Sequence, residues 1–197
     1  GTSWILHYNV IFQSNLILDN LYRVQNLHKD RENFYKGHCY FAKGLMYYEI
    51  ARRWGNAPIT RDAKSIDPLG RSDAKVVLDT ALSNALKAFD LLKNYDEAVD
   101  YNGQKLKKYY AHKGAAAALL ANIYAWKGGL FNDPDAYKET EKYCTLIIEN
   151  KVGIYKMVDT PEEVCSVVMD RMSSESVFEL LNSSIDFGFT TGRFSPG

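Results

Sequence analysis

The chain has 197 residues, with 24 Lys+Arg against 24 Asp+Glu and therefore no formal net charge, a size that buries a real core without disulfide or metal staples. At 46% apolar and 24% charged residues the composition is globular, which excludes a disordered chain, and the balanced charge supplies no field to gather nucleic acid. The longest nearly uncharged apolar run, Gly114 to Trp126, falls short of the roughly 20 residues that span a bilayer as a helix.

The first helix is predicted from Ser3 to about Leu27, with Ser3 as N-cap and Trp4, Tyr8, Ile11, Asn15, Leu18 and Tyr22 at spacings of three and four. A short charged turn, His28 to Arg31, leads to a second helix from about Arg31 to Trp54. Gly37 and Gly44 lie nearly on one face of it, and each costs about 1 kcal/mol relative to Ala, so a close backbone crossing is expected there. Gly55 and Pro58 end this helix, and residues 59–71 read as an ordered loop.

A third helix is predicted from Ser72 or Asp73 to about Asn94, with Val77, Ala81, Ala85, Ala88 and Leu92 facing inward. After a polar connection with Asn102-Gly103 as turn, a fourth runs from about Lys108 to Lys127 and is stopped by Gly128-Gly129. Its stretch Gly114 to Ala121 is nearly all Ala and Leu, the mark of a helix buried on several sides. A fifth helix is expected from Pro134 to about Glu149, and Thr160 with Glu163 has capping-box spacing for a sixth near 161–170. Glu175 to Leu181 suggests a short strand, and from Asn182 onward no helical period remains.

Cys39, Cys144 and Cys165 form no C-x-x-C pair, and each sits in an apolar helical context that reads as a small buried hydrophobe. No basic segment followed by an apolar core opens the sequence, and both ends read as cuts rather than natural termini.

Two features suggest repeated helical hairpins. Ala117, Leu120, Ala121, Tyr124 and Gly128 follow the spacing of a tetratricopeptide first helix, with Ala in place of its Trp and Gly. Tyr137, Thr140, Cys144 and Ile147 follow that of the second helix, and Gly44 with Tyr47 offers a fainter match. The predicted fold is mainly α: antiparallel hairpins of tetratricopeptide-like type, with loops and at most one or two short strands. Residues 1–181 are expected to form this scaffold and 182–197 to open a loop-rich ligand-binding region.

The whole chain resembles the SusD/RagB family of Bacteroidetes outer-membrane nutrient-binding lipoproteins. The likeness begins at Trp4-x3-Tyr8-x2-Ile11-x3-Asn15 and continues through His38 to Tyr48 and Arg52-Arg53-Trp54-Gly55-Asn56-Ala57-Pro58-Ile59. It extends over Arg71, Val76 to Asp79 and Ala85 to Leu92, then Lys113 to Trp126, and ends at Val177-Phe178-Glu179-Leu180. Lys43 stands where the family usually has Arg, Trp54 where it has Tyr, and Asn56 where it has Asp; an ammonium does not reproduce the bidentate fork of a guanidinium. The resemblance implies a lipoprotein on the outer face of the outer membrane, engaging a TonB-dependent (SusC-like) transporter and binding an oligosaccharide or similar nutrient on a shallow aromatic surface. It also implies that much of the ligand surface comes from regions beyond this sequence.

Catalytic signatures are not evident. His7, His28, His38 and His112 are widely separated, with no metal-pair spacing, and neither a G-x-S-x-G elbow nor a phosphate-binding loop occurs, so no catalytic residue, metal or cofactor is expected. The adjacent carboxylates Glu162-Glu163 and Asp96-Glu97 read as capping and solvated groups, and Lys105 to Lys108 as a solvated helix start. Trp54 and Asn56 at the exit of the second helix are the candidate carbohydrate-binding pair, with Trp4 flanking it. An aromatic face packs on the C–H face of a sugar while an amide bonds its hydroxyls. Core packing is the preferred assignment for Trp4 and Trp54 as well as for Trp126, and the binding role is the alternative for the first two. The expected activity is non-enzymatic nutrient binding at the cell surface; a generic tetratricopeptide scaffold for a protein partner is the alternative.

Overall fold

The computed structural model describes residues 3–64, 69–166 and 173–180. Among these the chain forms six helices in a single series: α1 (Ile5–Asn20), α2 (Lys29–Trp54), α3 (Ala74–Leu91), α4 (Lys113–Phe131), α5 (Pro134–Ile148) and α6 (Pro161–Ser166). Each of the first five packs on its neighbours in the chain. No strand occurs among the described residues; two isolated antiparallel bridges, Ala57 with Ser72 and Val99 with Lys105, close loops instead.

The hairpins are antiparallel because complementary residues meet in reversed order. A Cβ on Gly37 would lie 2.7 Å from the Leu92 side chain, and one on Gly44 would lie 3.1 Å from the Ala85 backbone nitrogen. The expected close crossing is therefore there: Gly44 on α2 and Ala81 and Ala85 on α3 bring two backbones together with no side chain between them. The predicted inward face of α3 is buried throughout, from Val77 to Leu92. In the same way Tyr124 of α4 stacks on Tyr143 of α5 at 5.9 Å, and Gly128 of α4 receives the ring of Tyr137.

That last contact corrects an expectation. Gly128-Gly129 does not stop α4, which runs on to Phe131 and ends where Asn132 takes the left-handed conformation at φ 52°. Gly128 serves packing rather than termination, because any larger residue would collide with Tyr137 at about 2.9 Å. At its other end α4 starts at Lys113 rather than Lys108, capped by the His112 side chain, which accepts from Ala115 N–H at 3.2 Å. α1 is shorter than expected; the chain tightens into a 3-10 turn at Leu21–Arg23. At α6, Glu163 reaches back to the Asp159 N–H at 2.9 Å rather than to that of Thr160.

Three burial assignments are also corrected. Cys39 is buried, but Cys144 and Cys165 are exposed, because α5 turns Ala136 and Tyr143 inward and α6 buries nothing. The tetratricopeptide-like register of α5 is thus shifted off Cys144. Trp126 is 39% exposed, on the outer side of α4 with the Arg52 guanidinium 5.4 Å from its ring. The strand expected at 175–181 is absent over 175–180; that segment is pinned by side chains, as described below, and residue 181 lies outside the described residues, as does the loop-rich region expected at 182–197.

Loop 56–64 is fastened across the α1–α2 hairpin by hydrogen bonds from side chains to backbone. Tyr8 donates to Pro58 O at 2.7 Å, Tyr47 accepts from Thr60 N–H at 2.9 Å, and Asp19 accepts from Ala63 N–H at 3.0 Å. With these backbone groups satisfied locally, the loop lies flat against the helices and sets the end of the molecule where the candidate residues sit.

Candidate functional site

Trp4 stands just before α1 and Trp54 closes α2, so an antiparallel hairpin places them at the same end. Their ring centroids are 6.0 Å apart and tilted at 55°. The structure thus brings together two of the three candidate residues, Trp54 and the flanking Trp4. Both are half-buried and pack against the core, with part of each side chain left exposed. Core packing and a surface role are therefore not exclusive here. The ring contacts hold the indoles in a fixed mutual geometry, worth about 1 kcal/mol per aromatic pair beyond burial.

Asn56 is exposed and adjacent, but its Oδ1 accepts the Ala74 N–H at 2.9 Å. This amide caps the start of α3, a structural duty that sequence reading did not assign. With one lone pair of Oδ1 engaged in the cap, the NH2 group of Asn56 is the part with its full capacity left to meet a ligand.

Two further residues complete the corner. His7, one turn beyond Trp4, meets the Trp54 ring edge-on at 5.3 Å, and the Arg71 guanidinium lies 5.2 Å over the Trp4 ring. Burial and the nearby Arg53 cation push the His7 pKa down, opposed by Glu49, so its imidazole is neutral at pH 7. Trp4-x2-His7 is one helical turn and could have been read as a pair. Arg71 could not: it arrives through the bridge of Ala57 with Ser72, a contact between distant loop residues. Above the corner, the Arg52 guanidinium lies between Tyr48 and Trp126, at 5.2 and 5.4 Å.

The arrangement offers aromatic faces, cationic donors and an amide donor on an open surface. Among the described residues no group of three or more His, Cys, Asp or Glu could hold a metal ion.

A second polar cluster lies on the opposite side of the scaffold. Lys108 is 3% exposed and His112 fully buried, although Lys105 to Lys108 had been expected to be solvated. The Lys108 ammonium donates to Ser173 O and Ser176 O and lies within 5.4 Å of the Tyr95 and Tyr155 rings. His112 Nδ1 accepts from Ala115 N–H, so Nε2 carries the proton and donates to Val177 O at 3.0 Å. Glu179 N–H completes the docking by donating to Lys108 O at 3.1 Å. Burial lowers the His112 pKa to about 4 and lifts that of Tyr155 well above the phenol range. This cluster holds residues 173–180 against α4; it is architecture.

Stacked antiparallel hairpins carrying an aromatic corner define a helical-repeat scaffold. A family model described as SusD-like, starch-binding and associating with the outer membrane matches residues 1–125. The chain belongs to this SusD-like family. It is 29% identical over 136 residues to a SusD-like protein of Formosa agariphila, covering 65% of this chain and 24% of that relative. A SusD superfamily protein from Bacteroides thetaiotaomicron shares the fold with a TM-score of 0.76 at 22% identity, covering 92% of this chain and 39% of that one. A SusD-like protein from Bacteroides fragilis gives 0.74 at 22% identity, covering 92% and 33%. A structure titled as a laminarin-binding SusD-like protein gives 0.70 at 18% identity, covering 87% and 35%. The chain thus spans about a quarter of the curated relative and a third or slightly more of these structures. No described helix is long and apolar enough to cross a membrane.

Proposed function

We propose that the chain is the helical scaffold of a cell-surface protein that binds a glycan or similar nutrient without chemical turnover. In this reading it is a lipoprotein of the outer membrane and passes its ligand to a TonB-dependent transporter. Residues 1–181 form the scaffold and 182–197 open the loop-rich region that extends the binding surface. The supporting observation is the pairing of Trp4 and Trp54 at 6.0 Å on an open face of a chain of the starch-binding SusD-like family.

The chemistry is passive. The exposed parts of the two indoles offer a platform for the C–H faces of sugar rings, while the Arg71 guanidinium and the Asn56 NH2 donate to hydroxyls. The pairing of Arg71 over Trp4 orders the guanidinium before ligand arrives, which reduces the entropy lost on binding. Specificity on such an open surface rests on a few donors, so the ligand is a polysaccharide class rather than one small molecule.

Affinity electrophoresis and calorimetry of the full chain against a panel of neutral polysaccharides, laminarin included, test this. Trp54→Ala is expected to weaken binding by about tenfold, in line with one lost aromatic contact. Absence of binding to every polysaccharide, or binding unchanged by Trp54→Ala and Trp4→Ala, overturns the assignment of the site.

A further inference from the structure

A polar cleft of about 610 Å³ lies between α1, α2 and α3 and is lined by Asn15, Lys43, Arg61, Asn84 and Lys87 among others. Lys43 is the unusual member. It is 8% exposed, its ammonium makes no hydrogen bond or ion pair among the described residues, and burial depresses its pKa. The Asp19 carboxylate favours the charged form from beyond ion-pair distance, and further negative charge or hydrogen-bond acceptors would stabilise the ammonium more.

The acids of the cleft are already engaged. Asp19 accepts the Ala63 N–H, and Asp79 is paired with Lys127 at 2.5 Å. The cations on the rim are less committed: Lys87 rests 5.3 Å from the Tyr40 ring, and Arg61 is exposed. Three cations against two engaged carboxylates leave the cleft positive.

Two asparagines add polar groups to the cleft. Asn15 is 1% exposed and donates Nδ2 to Asp62 O at 3.3 Å, while its Oδ1 has no partner. Turning the amide over would set two oxygens against each other, so the geometry fixes this orientation. Asn84 likewise donates Nδ2 to Thr80 O at 2.8 Å and retains its oxygen as an acceptor. The Asn15 oxygen is sealed from solvent, so the amide acceptor that a ligand in the cleft can meet is that of Asn84. A bare inorganic anion, which only accepts, satisfies the cations and leaves the Asn84 oxygen unmet.

We propose that this cleft is a second ligand site, separate from the aromatic corner, that takes a sugar carrying a carboxylate, with the anionic group on Lys43 and a hydroxyl on Asn84. Lys87 and Arg61 draw the anion inward from the rim. The site does not depend on the role assigned to Trp4 and Trp54.

Titration of the isotopically labelled full chain with sodium glucuronate, glucose and sodium sulfate tests it. Glucuronate is expected to bind saturably and to move amide resonances around Asn15, Lys43 and Asn84, with glucose and sulfate weaker. Lys43→Met is expected to weaken glucuronate by about tenfold or more, the loss of a hydrogen-bonded charge. Lys87→Met, an exposed change that leaves the core intact, is expected to weaken it by about threefold. Trp54→Ala leaves glucuronate binding unchanged, so failure of the aromatic corner and failure of the cleft are told apart. The proposal is overturned by no saturable response to glucuronate, by glucose or sulfate binding as tightly as glucuronate, or by Lys87→Met binding like the unaltered chain.

Discussion

The seam between α2 and α3 and the junction between residues 95–112 and 173–180 are held by opposite means. At the seam, Gly44 faces the backbone of Ala81 and Ala85, and contact is made by shape alone. At the junction, a buried ammonium and a buried imidazole reach across to main-chain carbonyls. The seam tolerates solvent chemistry and resists any change of volume. The junction tolerates small changes of shape and responds to protonation. A scaffold built this way has a rigid, pH-indifferent centre and a titratable fastening at one edge.

The strongest way to break the comparison is to add volume at the seam. In Gly44→Val even the first added carbon would sit 3.1 Å from Ala85 N and 3.2 Å from Ala81 O, atoms that move only if a helix moves. A loss of about 3 kcal/mol is expected in urea denaturation, at the upper end of the overpacking range. A loss below about 1 kcal/mol would mean that α2 and α3 slide freely and that the close crossing is not a constraint.

The fastening is tested by pH. The folded-state pKa of His112 is lowered to about 4 by burial, chiefly, with the Lys108 cation and His38 acting in the same direction and the Val177 carbonyl opposing. The unfolded chain therefore binds a proton first as pH falls, and stability declines from the unfolded value, about 6.5, down toward the folded one. Between pH 7 and pH 5 this single group removes about 2 kcal/mol. His38, also buried with a lowered pKa, adds in the same sense. Thermal melting across this range is expected to be steep for the unaltered chain and flatter for His112→Asn, whose amide oxygen still caps α4. Equal slopes for both would place the pH dependence elsewhere.

These two regions also differ in how readable they are from sequence. The seam is written in periodicity: Val77, Ala81, Ala85 and Ala88 recur at helical spacing, and a glycine inside a helix asks for a close neighbour. The meeting of Trp4 and Trp54 at one end of a hairpin follows only once α1 and α2 are seen to pack antiparallel. The junction has no period. Residues 95–112 are loop, so nothing in their order marks Lys108 as buried or His112 as a helix cap rather than a surface residue. Their partners are carbonyls some 65 positions away, and a carbonyl has no side-chain identity to read. Gly128-Gly129 misled for a related reason: a stop signal and a packing notch use the same residue, and only the position of Tyr137 distinguishes them. Trp126 was misplaced because an apolar helix does not by itself say which side meets solvent, and here Arg52 covers the ring. The double duty of Asn56 was hidden in the same way, since the N–H it caps belongs to Ala74 across a loop.

The smallest effect sharpens the distinction at a site that combines both kinds of signal. Asp133 precedes Pro134 at the start of α5, a pattern legible in sequence, and its Oδ1 accepts the N–H groups of Asp135 and Ala136 at 3.1 and 3.2 Å. The Asp133 carboxylate also faces the positive end of the helix dipole. Asp133→Ala is expected to cost about 1 kcal/mol in urea denaturation, and Asp133→Asn, which keeps the acceptor but not the charge, only a few tenths. Because the cap is exposed and local, its loss should add to that of Gly44→Val rather than compound it. Coupling between the two changes would show that α5 and the α2–α3 seam move as one body, and the rigid centre would then extend through α4 to the far end of the scaffold.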